Sequence, residues 1–118
     1  MFSLTPSMRY YLYSYPTDMR RSFYTLSGMV TNQMGYNVQD GDVYIFINRQ
    51  CSDMKILHME CCGLVIYHLK LESGCFKLPV FDPDNHTFQT SWQELMSIVQ
   101  GVSPSGKVNT NRWKNPLK

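Results

Sequence analysis

Cys51, Cys61, Cys62 and Cys75 are interleaved with His58, His68 and His86, residue types that bind zinc or act as nucleophile and base. Their spacing argues against both uses. There is no CxxC pair and no HxxxH spacing, and small structural zinc sites commonly show one of these. Cys61 and Cys62 are adjacent and cannot form an ordinary unstrained bridge, and nothing in the sequence marks a lowered thiol pKa. The thiols are read as free, in a reducing cytoplasm. No metal or other cofactor is expected, and with neither a Walker loop nor GxGxxG there is no sign of nucleotide use.

Asp18, Asp40, Asp42, Asp53, Glu60 and Glu72 could together hold Mg²⁺ for phosphodiester cleavage. Each has a simpler occupation. Asp18 suits the start of a helix, Asp40, Asp42 and Asp53 sit at turns, and Glu60 and Glu72 end strands. A divalent-metal nuclease subunit using Asp18 with Asp40 or Asp42 is therefore the alternative reading, and no catalytic residue is assigned.

Positive charge is the other possible handle on a polyanion. The formal net charge is only +2, but it is unevenly placed. Residues 101–118 carry Lys107, Arg112, Lys114 and Lys118 with no acid, which leaves the preceding residues slightly negative. Arg20, Arg21, Arg49, Lys55, Lys70, Lys77, Arg112 and Lys114 are the candidate nucleic-acid contacts. They would neutralise phosphates in a salt-sensitive, largely sequence-independent way. No recognition helix can be picked out for base readout.

The elements that must position these residues follow from periodicity. RYYLYSY, Arg9 to Tyr15, reads as an aromatic strand with Tyr11, Tyr13 and Tyr15 on one face, and its tyrosines are candidates for docking a partner. In TDMRRSFYTLSGMVTNQMG, Met19, Phe23, Leu26, Val30 and Met34 recur at helical spacing, with Thr17 as cap and Gly35 as stop. Asp40-Gly41 is a turn into a strand, Val43 to Ile47. Cys51-Ser52-Asp53 then turns into MKILHME, and Cys61-Cys62-Gly63 turns into a strand from Leu64 to Leu71. A short strand is expected over Cys75–Leu78. Pro79 to Thr90 reads as loop, with a turn at Asp82-Pro83-Asp84-Asn85. Ser91 and Glu94 have capping-box spacing ahead of the apolar face Trp92, Leu95, Met96 and Val99, and Gly101 closes that second helix.

A chain of 118 residues, 43% hydrophobic, can bury one real core without staples. It has no apolar run of membrane-spanning length, and its start lacks the pattern of a signal peptide. The expected fold is α+β: a single two-layer domain over 8–101, with an antiparallel sheet of about four to five strands and two helices packed on it. Residues 1–7 form a short lead and 102–118 a basic, loosely ordered tail.

Three stretches carry a family resemblance. PTDMRRSFYTL, Pro16 to Leu26, resembles the PTDMRKGFxxL opening of the accessory proteins of insertion-sequence family sixty-six. GDVYIFINR, Gly41 to Arg49, is similar to that family's G-x-x-(V/L)-F-x-N-R strand. MKILHMECCGLVIYHLKLESGCFKLP, Met54 to Pro79, follows its iKiL…G…KRLE-x-G-x-F-x-x-P pattern in order. These are TnpB-type, second-reading-frame products, distinct from the RNA-guided nucleases that share the label. The sequence departs from the pattern at Leu69 and Lys70, where Lys-Arg is usual, at Cys51, often basic in relatives, and at Cys62, where Gly or Asp is common. The resemblance implies a non-catalytic accessory protein for transposition of a bacterial insertion sequence. Its partners would be element-end DNA, a separate large transposase and the other element-encoded accessory protein, with no membrane involved.

Overall fold

The computed structural model describes residues 4–81 and 85–100. Five strands form one sheet in the order β4-β3-β2-β1-β5: β1 (Tyr10–Tyr13), β2 (Val43–Ile47), β3 (Asp53–Glu60), β4 (Gly63–Lys70) and β5 (Thr87–Thr90). β2, β3 and β4 make the expected antiparallel meander, with Ile45 opposite Ile56 and Ile56 opposite Tyr67. Cys61 and Cys62 form the two-residue turn between β3 and β4, closed by Glu60 opposite Gly63. The α+β class holds, with a mixed rather than wholly antiparallel sheet. β1 runs parallel to β2, with Tyr11 opposite Tyr44, because the chain crosses over between them through the first helix. β5 pairs antiparallel with β1, Thr87 to Tyr13.

The two helices lie on opposite faces of the sheet, so the domain has three layers instead of two. Helix α1 (Phe23–Met29) continues into a wider π turn, Val30–Met34. Its Leu26, Met29 and Val30 pack on Tyr11, Tyr13, Tyr44, Phe46 and Leu57. Helix α2 (Trp92–Gln100) sets Leu95 and Ile98 on Tyr10, Leu12, Val43, Ile45 and Met54. This explains why VYIFI is apolar without alternation: all five β2 residues are buried, as in any strand covered on both sides. It also corrects the reading of the tyrosines as a docking surface. Tyr10, Tyr11 and Tyr13 are core residues, and Tyr11 stacks on Tyr36 with ring centres 4.3 Å apart.

Other boundaries moved for local reasons. α1 begins after Ser22, not at Thr17, because the Thr17 amide donates to Ile47 O at 2.8 Å and Asp18 is engaged by Arg20. Phe23 consequently falls outside the buried stripe and is exposed. Gly35 ends the helical segment as expected, at φ 80°, a left-handed conformation that favours glycine. Cys75–Leu78 is not a strand. Cys75 makes an isolated bridge, and Phe76 N donates to Cys51 O at 2.7 Å. Conversely, TFQT, within the stretch expected to be loop, becomes β5 by pairing with β1. Half of the expected capping box of α2 is present: Ser91 Oγ accepts from Glu94 N at 3.1 Å, while the Glu94 carboxylate accepts from Thr90 Oγ1 at 3.1 Å. The turn at Asp82-Pro83-Asp84 and the stop at Gly101 lie outside the described residues.

Candidate nucleic-acid interface

The parallel β1–β2 pairing brings together two stretches distant in sequence. When the chain leaves β1 it is tied to the end of β2 by Thr17 N and Ile47 O. Pro16–Met19 and Asn48–Gln50 then form the two walls of a shallow depression of about 360 Å³. On one wall Asp18 accepts from the Arg20 amide at 2.9 Å and takes the guanidinium fork, with Nη2 to Oδ2 at 2.6 Å. Those side-chain and backbone hydrogen bonds hold the exposed Asp18 carboxyl well below the usual carboxylate range. Arg20 is thereby positioned, with its side chain still largely open to solvent.

Asn48 organises the other wall. Its Oδ1 accepts from Ser52 N at 2.9 Å and Asp53 N at 3.1 Å, while Nδ2 donates to Ser52 Oγ at 3.1 Å and Asp53 Oδ1 at 3.4 Å. This closes a tight turn in which Cys51 takes φ 57°, a conformation costly for a non-glycine residue. Arg49 and Gln50 stand exposed at the tip of that turn. The sequence reading gave Asn48 no role. Its signal was an Asn immediately before the turn, a residue type that favours side-chain bonds to nearby backbone amides.

The remaining cations come from neighbouring elements. Lys55 Nζ donates to Arg21 O at 2.7 Å, fastening the stretch before α1 to β3. Asp53, 6% exposed, accepts from Ser52 Oγ at 2.9 Å and lies 3.1 Å from His68 Nε2 and 3.5 Å from Lys70 Nζ. Burial pushes its carboxyl up, but the hydrogen bonds from Ser52 and His68 and the charge of Lys70 outweigh this, leaving it below its ordinary value. Lys77 is exposed on a segment anchored by the Phe76–Cys51 bond. Arg21 and Lys77 make no ion pair among the described residues.

The register of Lys55 and Lys70, with the loop bonds that tie down the segments bearing Arg20, Arg21, Arg49 and Lys77, places all six of these cations at one end of the sheet, where β2 and β4 end and β3 begins. Asp18, Asp53 and Glu72 are the acids there. The opposite end holds Asp40, Asp42, Glu60 and Glu94, with Arg9 as its one described cation, paired to buried Asp42 at 2.9 Å. Charge is thus polarised along the strands although the described acids and bases balance. Arg112 and Lys114 lie outside the described residues.

The acidic residues are not gathered in the way a metal nuclease requires. Asp18 lies beside the end of β2 and Asp42 just before its start. Five residues of strand separate them, roughly 15 Å, whereas ligands of one Mg²⁺ sit about 2 Å from it. Among the described residues no group of three or more His, Cys, Asp and Glu could hold a metal ion. Cys51 and Cys75 are buried, and Cys61 and Cys62 are exposed with sulfurs 3.3 Å apart. No helix among the described residues is long and apolar enough to cross a membrane.

Comparison with known proteins agrees with the three motif stretches. The chain is 24% identical over its whole length to the uncharacterized protein y4jC of Sinorhizobium fredii, of which it covers 98%. No solved structure matches it significantly. The profile of the family described as IS66 Orf2 like protein matches residues 8–108. On that match the chain belongs to the IS66 Orf2-like family, and its role is that of an insertion-sequence accessory protein.

Proposed function

We propose that this protein is a non-catalytic, cytoplasmic accessory factor of transposition that grips element-end DNA with the basic end of its sheet. The observation that supports this is the gathering of Arg20, Arg21, Arg49, Lys55, Lys70 and Lys77 at one end of the sheet, with Arg49 lining the depression there and Arg20 held by Asp18 of its other wall. Such a cluster neutralises several adjacent phosphates, and exposed cations of this kind give affinity without base specificity. Arg112 and Lys114 add to it through their charge. Docking on the transposase or on the element's other accessory protein would use surface that the DNA leaves uncovered, so binding DNA and docking on a partner are compatible.

An electrophoretic shift on element-end DNA tests the reading. Binding should weaken steeply as salt is raised. Joint alanine substitution of Arg20, Arg21 and Arg49 should abolish the shift while leaving the folded spectrum intact. DNA cleavage with Mg²⁺ or Mn²⁺, lost in Asp18→Asn, would instead establish the nuclease alternative. With neither binding nor cleavage, pull-down against the transposase decides for a purely protein-docking role.

A further inference from the structure

We propose that a second copy of this chain docks antiparallel along the outer edge of β4, joining two sheets into one of ten strands. β4 is the terminal strand of the sheet, eight residues long, and among the described residues nothing pairs with its outer side. Leu71 N donates inward to Ser52 O at 2.8 Å. By the alternation of an antiparallel ladder, Leu69, Tyr67 and Val65 also face β3, so Leu64, Ile66, His68 and Lys70 turn their amides outward. A long apolar strand with outward donors is what soluble proteins ordinarily break up with a charge, a proline or a bulge. GLVIYHLK contains none of these before its last residue.

Two further features identify the partner as another copy. An apolar groove of about 550 Å³ runs between β4 and α2, lined by Ile56, Tyr67, Leu69, Trp92, Met96 and Val99, and it borders this edge. A copy related by a dyad perpendicular to the sheet brings its own Tyr67, Leu69 and Met96 to the same side, so the two grooves cover each other. Charge also matches. Antiparallel pairing sets the cationic end of each copy beside the acidic end of the other, with Lys70 next to the partner's turn and its neighbouring Glu60. A parallel arrangement would set like ends together.

Sedimentation equilibrium of the full chain, with amide hydrogen exchange read at low and high protein concentration, tests this. The expected mass is twice the 13.8 kDa of one chain, with exchange at Leu64, Ile66 and His68 slowing as concentration rises. Leu69→Lys, at a part-exposed position, should shift the mass to that of one chain with the circular dichroism unchanged. If Leu69→Lys loses its fold, His68→Pro serves instead, since it removes an outward N–H from an edge strand. A single-chain mass at all concentrations overturns the proposal, as does a variant that folds and keeps the doubled mass. Outward amides protected in a species of single-chain mass also overturn it, since another part of the same chain would then be covering the edge.

Discussion

The amide of Thr17 donates to the carbonyl of Ile47 at 2.8 Å, and this bond fastens the Pro16–Arg21 stretch to the end of the Val43–Arg49 stretch. Two motifs separated by a helix and a crossover thereby become adjoining walls. Arg20 and Arg49 owe their common address to this bond and to the parallel pairing that precedes it. Neither residue could be placed beside the other from local pattern alone.

Asn48 is the residue on which the Arg49 wall depends. Asn48→Ala removes four side-chain hydrogen bonds and leaves the Ser52 and Asp53 amides unpaired by it. The cost should be about 1–3 kcal/mol, read as a fall in thermal midpoint of roughly 5–10 °C for a domain of this size. DNA affinity should fall along with it, measured at a temperature where the variant is still folded.

Acid should destabilise the protein in a defined direction. The folded Asp53 carboxyl is held below its ordinary value, so its stabilising contribution is fully present above the unfolded value of about 3.9. It is lost as pH falls below that value and through the folded one. Urea unfolding from pH 7 to pH 3 should show a flat stability near neutrality and a decline at the acid end. In Asp53→Asn the decline should be shallower, from a lower starting stability.

The covering of the sheet on both faces gives a further expectation. Leu26 and Leu95 are fully buried on opposite sides. Leu26→Ala and Leu95→Ala should each cost about 2–5 kcal/mol. Because the sheet separates them, the double variant should cost the sum to within about 0.5 kcal/mol. A large coupling in denaturant titrations would place both helices on one face.

Dimerisation across β4 would point the two basic ends in opposite directions, so one dimer is expected to hold two duplexes. Capture of a labelled duplex on an immobilised one should require the protein. It should be lost in Leu69→Lys while binding to a single duplex persists.

The elements legible in the sequence were those whose signals are local. The β2 run VYIFI, the Cys61-Cys62 turn, Gly35 as a stop and the Ser91 cap all lie where composition and spacing placed them. What escaped depended on long-range partners. TFQT has little strand character of its own and becomes β5 only against β1. The alternating tyrosines of β1 mimic a half-exposed strand, but the crossover helix covers the face that would have met water. Thr17 and Asp18 look like a helix start because Thr and Asp are good caps. Here Ile47 and Arg20 engage them first. Of the candidate site, the identities of the cations were visible in the sequence. Their gathering at one end required the register.

The measurement that bears most directly on the basic end compares two exposed substitutions of equal charge change. Arg21→Gln lies at the cationic end and Gln39→Glu at the opposite one. Affinity for an element-end duplex is followed by fluorescence anisotropy across a salt series. Arg21→Gln should weaken binding and reduce the slope of log affinity against log salt by about 0.9, while Gln39→Glu leaves both near wild type. Equal weakening by the two, or an unchanged slope in Arg21→Gln, would contradict the assignment.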